Sequence, residues 1–292
     1  MKKKLTIGMA VYDDVRGVWF TIQDIRKHYP ELMDQVEFIV VDNNPNSSHG
    51  EATKDYVENW VNNGRYIPFE KGGTAAPRDH IFRVASTPAV LCMDSHVLLD
   101  KDVLPRLLAW YDLHPETKDL LQGPMLYDGL DGNMATHMNE VWRAGMYGTW
   151  GSDPRGHNPY SPPFEIRMHG LGLFSCRKDA WLGFNPDFKK FGGEEGYIHE
   201  KYRTHGRKTW CLPFLRWNHC FIRPGGPKYP ICNSYKLQNY LIGWRELGMN
   251  LDDPVNHFRL YMDDAEIRRI IQSLGIDYEL KPKVKHENAV PV

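Results

Sequence analysis

No apolar run in this 292-residue chain approaches the ~20 residues that cross a bilayer. The longest, Phe38–Val41 and Ala89–Met93, have the length of strands, so a membrane-spanning helix is excluded. There is no C-x-x-C pair: Cys92, Cys176, Cys211, Cys220 and Cys232 are scattered and odd in number, in a chain long enough to build a core without disulfides. Reduced thiols and a cytoplasmic location are the expectation. Neither charge dominates, the net value being −1, so composition alone does not mark a nucleic-acid or membrane-surface binder. The opening Met1-Lys2-Lys3-Lys4 leads into an apolar stretch broken by Gly8, Asp13 and Asp14, which does not read as a secretory signal. No G-x-G-x-x-G follows the first predicted strand, and Gly72-Gly73 lacks the Lys-Ser/Thr ending of a P-loop. Both phosphate-binding fingerprints are therefore excluded. Internal repeats and a linker between domains are also missing.

Hydrophobic residues at 41% and aromatics at 12% do supply a core and exclude general disorder. Leu5–Val11 and Val36–Val41 are short β-branched runs of the buried parallel type. Between them Trp19, Ile22 and Ile25 recur at helical spacing and predict a helix over Val18–His28, ended by Pro30. Ala52, Tyr56 and Trp60 predict a second helix over Glu51–Val61. A strand at Arg65–Phe69, a helix at Arg78–Ala85 and a strand at Ala89–Met93 follow. This alternation predicts an open α/β sheet. Residues 127–163, rich in Gly, Pro and aromatics, are expected to be long loops over the crevice at the strand ends. Helical spacing returns at Glu194–Arg203, Leu237–Leu247 and Ala265–Leu274, and Lys281–Val292 is expected to fray.

In such sheets ligands bind beyond the carboxyl ends of the strands, where Tyr12-Asp13-Asp14, Asp42-Asn43-Asn44 and Asp94-Ser95-His96 gather. Asp94 and His96 point to one side if the chain stays extended, and a carboxylate with an imidazole suits Mn²⁺ or another divalent cation. Charge is segregated: residues 1–150 carry 15 basic and 21 acidic side chains, and residues 151–292 carry 21 and 16. Lys201 to Arg245 contains nine basic residues and no acid, which is either an anion-attracting surface or a set of cations paired elsewhere in the fold.

Three blocks carry a family resemblance. The segment ending Ala89-Val90-Leu91-Cys92-Met93-Asp94-Ser95-His96, with Arg78 before it, resembles the GT-A glycosyltransferases. Its D-S-H form is similar to that of the polypeptide N-acetylgalactosaminyltransferases, where most of the class has D-x-D. His169-Gly170-Leu171-Gly172-Leu173-Phe174-Ser175, Phe191-Gly192-Gly193-Glu194-Glu195 and Trp217-Asn218-His219-Cys220-Phe221-Ile222-Arg223 follow in that family's order. The resemblance covers residues 5–225. It implies a GT-A fold, Rossmann-like, with an open mixed sheet flanked by helices as a single domain over 1–250. A helical extension over 251–280 and a flexible tail over 281–292 would complete the chain.

The resemblance further implies that Asp94, His96 and His219 hold the metal, which binds a nucleotide-sugar diphosphate, UDP-linked by preference. Tyr12 would stack on the base, Asp42 would accept a base N–H, and Arg78 would lie near the donor. Glu194 matches the family glutamate and is, with Glu195, a catalytic candidate. Glu195 stands where that family has asparagine and where inverting members of the class have an acid, so stereochemistry stays open and Glu195 is the candidate general base. The expected function is transfer of a sugar to a hydroxyl acceptor, with saccharide or peptide ranked above DNA carrying a modified base. A non-catalytic nucleotide-sugar-binding module is the alternative from another class.

Overall fold

The computed structural model describes residues 3–128, 132–222 and 229–281. The strands are β1 (Leu5–Val11), β2 (Val36–Asp42), β3 (Gly64–Pro68), β4 (Ala89–Asp94), β5 (Val97–Leu99), β6 (Leu120–Gln122), β7 (Met125–Leu126), β8 (Met134–Ala135), β9 (His137–Arg143), β10 (Met146–Gly151), β11 (Phe164–Glu165), β12 (Leu173–Arg177), β13 (Thr209–Cys211) and β14 (Trp217–His219). The α-helices are α1 (Val15–His28), α2 (Ser48–Trp60), α3 (Ala75–Val84), α4 (Val103–Leu113), α5 (Glu194–Thr204), α6 (Asn233–Glu246), α7 (Asp252–Phe258) and α8 (Asp264–Ser273).

The main sheet has the order β11-β13-β6-β12-β4-β1-β2-β3. Its β3-β2-β1-β4 half is parallel, because each crossover carries a helix, and β12 adds antiparallel to β4. The sheet is therefore mixed, and the chain is a single α/β domain. β1 and β2 are covered on both faces, which is why they read as nearly continuous apolar runs, the buried Thr6 hydroxyl donating to the Glu37 carboxylate. A smaller sheet, β5-β14-β7-β8, and the β9-β10 hairpin stand at the carboxyl ends of the parallel strands.

Two tryptophans counted on buried helix faces are in fact exposed. α1 buries Val18, Ile22 and Ile25 and leaves Trp19 54% exposed, while α2 buries Thr53, Tyr56 and Val57 and leaves Trp60 66% exposed. The buried stripe of each helix thus runs through smaller side chains, Val18 in α1 and Thr53 and Val57 in α2, and leaves the indole outside.

The stretch 127–163 is not simply loop. β9 and β10 form an antiparallel hairpin whose two-residue turn, Ala144-Gly145, has positive φ at both positions (49° and 71°). Alanine in place of Asn or Asp at the first turn position hid it, and the half-exposed strands lack strict alternation. The C-terminal helices α7 and α8 pack on α6 through Val255, Phe258, Ile267 and Ile271 against Leu237, Leu241 and Trp244. Apart from Lys281, the tail expected over 281–292 lies outside the described residues.

Most described cations of the acid-free stretch are engaged within the fold, and Lys236 lies over the Phe191 ring at 5.7 Å. Lys201 pairs with Glu246, Arg203 with Glu140 and Glu200, and Lys208 with Glu165. Arg207, Arg216 and Arg245 donate to backbone carbonyls. No helix of the described residues is long and apolar enough to cross a membrane, and no disulfide joins the cysteines.

Candidate active site

A cleft with a cavity volume of about 520 Å³ opens at the carboxyl ends of β1 and β4. Its floor is the D-S-H segment. β4 ends at Asp94 between β1 and β12, and Asp94 N–H donates to the Gly172 carbonyl at 2.9 Å. The chain then turns and returns as β5, which pairs antiparallel with β14 in the register Val97↔His219. That pairing brings His219 beside Asp94 across 125 positions of sequence. Asp94 Oδ2 stands 3.4 Å from His219 Nε2 and 4.0 Å from His96 Nε2, and one ligand atom from each residue lies within 4.8 Å of the others.

Gly172 is required at this floor, since a Cβ there would come within 2.8 Å of the Trp217 indole and 3.1 Å of the His219 ring. His96 is fixed from behind: its Nδ1 lies 2.9 Å from Asp14 Oδ2, which also accepts the Ser95 hydroxyl at 3.0 Å. With Nδ1 protonated toward Asp14, the Nε2 lone pair faces Asp94, the arrangement that metal-binding imidazoles use. One carboxylate and two imidazoles at these separations fit a divalent cation of the Mn²⁺ type. Burial alone would raise the Asp94 carboxyl, but the Arg78 guanidinium and the two histidines hold it well below the usual carboxylate range.

Glu194 and Glu195 open α5 after Gly192 and Gly193, whose φ values of 106° and 96° only glycine adopts freely. Their fates differ. Glu194 is buried and bonded to the Thr74 hydroxyl and to Gly192 N–H, so it ties two loops together. Glu195 lines the cleft, and its Oε2 has no hydrogen-bond partner among the described residues. Burial and the adjoining Glu194 charge push its carboxyl up to about 7. Behind it, His199 bonds the Glu195 carbonyl through Nδ1 and Gln122 through Nε2, and Gln122 donates to the Gly170 carbonyl.

The family model described as Glycosyl transferase family 2 matches residues 6–167, more than half of the chain. The chain belongs to glycosyl transferase family 2. This transferase superposes on the crystal structure of GalNAc-T7 with UDP, GalNAc and Mn²⁺ with a TM-score of 0.66 at 16% identity, over 94% of its own length and 55% of that protein's. It thus spans about half of GalNAc-T7. It superposes on S. aureus TarS 1–349 in complex with UDP-GlcNAc with a TM-score of 0.57 at 15% identity, over 93% and 80% of the two chains. The UDP complex of S. aureus TarS 1–349 gives 0.56 at 14%, over 93% and 79%. The shared architecture is the GT-A fold. No curated protein sequence matches the chain.

Not every residue of the transferase marked from sequence reaches the cleft. Tyr12 lines it, placed by a turn in which Asp13 takes a left-handed conformation (φ 50°) held by Asn44 and Ser47. Asp42 does not. It is 1% exposed, accepts the Tyr66 hydroxyl at 3.0 Å and Asn44 N–H at 2.9 Å, and the neighbouring Asn43 takes the cleft position. Strand alternation is the reason: the last β2 residue points into the sheet layer and the next one outward. Arg78 lines the cleft but is engaged by Asp94 at 2.8 Å and the Thr74 carbonyl at 3.3 Å.

Sequence reasoning missed Asp14, although it lies in one of the polar clusters at the strand ends. Residues of 127–163 do stand over the cleft as expected, but as a hairpin wall of Met138, Met146, Tyr147 and Trp150 and not as loops alone. Helical or strand periodicity could not reveal these residues, since their positions depend on contacts far apart in the chain.

Proposed function

We propose that this family 2 transferase moves a sugar from a UDP-sugar to a hydroxyl acceptor with inversion, Glu195 acting as general base. The observation that carries the reading is the pairing, in one cleft, of the Asp94-His96-His219 cluster with a Glu195 carboxylate whose Oε2 has no hydrogen-bond partner among the described residues. A divalent cation held there would neutralise charge on the departing diphosphate. Tyr12 supplies an aromatic face for the base. The acceptor oxygen attacks the anomeric carbon, the bond from that carbon to the diphosphate oxygen breaks, and the hydroxyl proton passes to Glu195.

The hairpin wall favours saccharide or peptide as acceptor. It presents methionine and aromatic groups with no cation among its described lining residues, and Lys201, Arg203 and Lys208 of the basic stretch are paired within the fold. Nothing in the site supports DNA as acceptor. The carboxylate and metal set would be superfluous in a module that only binds donor.

The test is a donor screen with Mn²⁺ that reads nucleoside diphosphate release with and without saccharide and peptide mixtures, followed by NMR of the product anomer. Acceptor-dependent UDP release with an inverted product supports the reading. Release from no UDP-sugar, or a product of retained configuration, overturns it in whole or in the role of Glu195.

A further inference from the structure

Both guanidinium contacts of Arg78 are made inside the protein, yet a second cation faces the same cavity. Lys190 stands one residue before the Phe191-Gly192-Gly193 turn and lines the cleft with an exposed side chain. It forms no ion pair or side-chain hydrogen bond with any described residue. The basic side chains among the described lining residues are Arg78, His96, His219 and Lys190. The first is engaged by Asp94, and the two histidines belong to the cation site, which leaves Lys190.

The fold holds Lys190 in place at some cost. Its φ is +57°, the left-handed region that a lysine does not prefer. Three contacts fix it there: Thr74 N–H and Oγ1 both donate to its carbonyl, at 2.8 and 3.1 Å, and Gly73 bridges to it in parallel. The Asn239 amide brackets the preceding residue, accepting from Lys189 N–H and donating to the Lys189 carbonyl, each at 2.9 Å. Room for the side chain comes from Gly72, where a Cβ would stand 3.2 Å from Lys190 Nζ. The ammonium therefore lies beside Gly72, next to Gly73, whose carbonyl accepts Asn43 Nδ2 at 2.9 Å. A strained residue with its charge unpaired, overdetermined by backbone contacts and facing a cavity, is the pattern of a ligand-binding position.

We propose that Lys190 binds an anionic oxygen of the donor, the role the sequence suggested for Arg78. The inference rests on the reading of the cleft as a nucleotide-sugar site. The anion is either the diphosphate, present in every donor, or a carboxylate on the transferred sugar, and an ammonium meets both as a compact point charge.

Calorimetric binding of UDP, UDP-glucose and UDP-glucuronate in the presence of Mn²⁺, to the wild type and to Lys190→Met, separates the two sources. A loss of roughly tenfold or more in all three ligands assigns the diphosphate, and a loss confined to UDP-glucuronate assigns the sugar carboxylate. Lys190→Arg should restore most of the affinity. Lys190→Gly should bind as weakly as Lys190→Met while unfolding at a higher temperature, because glycine relieves the φ of +57°, so weakened binding in that variant cannot be misfolding. Wild-type binding with unchanged affinity in Lys190→Met overturns this inference alone. A wild type that binds none of the three overturns the cleft reading and this inference with it.

Discussion

The carboxylate of Asp14 stands 2.9 Å from Nδ1 of His96, and the same carboxylate caps α1 by accepting Gly17 N–H at 3.2 Å. One side chain therefore sets both the start of the first helix and the orientation of a candidate metal ligand. Because α1 packs on the sheet through Val18, Ile22 and Ile25, the position of Asp14 is as rigid as the core beneath it.

Asp14→Asn should weaken Mn²⁺ binding about 10- to 100-fold with little change in unfolding temperature, since the amide keeps an acceptor for Gly17 but loses the charge that orients the imidazole. Titration of the protein with Mn²⁺, followed by the electron paramagnetic resonance of free ion, measures this. Asp14→Ala should add about 1 kcal/mol of destabilisation through loss of the cap. Wild-type Mn²⁺ affinity in Asp14→Asn would show that His96 needs no such support.

His219→Ala should abolish metal-dependent turnover in a folded protein. Asp94→Ala should do the same and also destabilise by about 3–5 kcal/mol, because the guanidinium of Arg78, 9% exposed, would lose its carboxylate partner. Thermal unfolding alongside the activity assay separates the two effects. Equal stability of the two variants would mean that the Arg78–Asp94 pair contributes nothing to the fold.

Glu195→Gln should lower kcat by roughly 10²–10⁴. The carboxyl is pushed up to about 7, so the proton-accepting form predominates above that pH. kcat/KM should accordingly rise with pH through about 7 and level off above it, and this limb should vanish in Glu195→Gln. Glu194→Gln should act mainly on stability, through its bonds to Thr74 and Gly192. Normal turnover by Glu195→Gln, with Glu194→Gln inactive, would reverse the assignment.

Tyr12→Ala should raise the donor KM more than it lowers kcat, since contacts to the base are equal in ground and transition states. Asp42→Asn, in contrast, should leave the donor KM unchanged, because that carboxylate is shut away beneath Tyr66 and Asn44. A large KM effect from Asp42→Asn would mean that the cleft opens to it when the donor binds.

The alternation of apolar runs with helical spacing along residues 5–94 determined the parallel half of the sheet, since crossover chirality and strand burial leave few other ways to arrange those elements. The short blocks around Asp94, His169, Glu194 and His219 pointed to the family and to the residues that meet at the cleft, because such blocks hold particular side chains at fixed spacing. What periodicity could not supply was the choice between neighbours. Val18 rather than Trp19 meets the sheet, Asn43 rather than Asp42 reaches the cleft, and Glu195 rather than Glu194 keeps an unpaired oxygen. Each of those choices turns on one residue step, which changes the face of a strand or helix while leaving the local pattern almost the same. The pairing of β5 with β14, the Asp14–His96 contact and the hairpin over the cleft belong to the tertiary structure alone. The first two join segments 82 to 122 positions apart, and the placing of the hairpin is set by how the sheets and helices pack, which no local window of sequence contains.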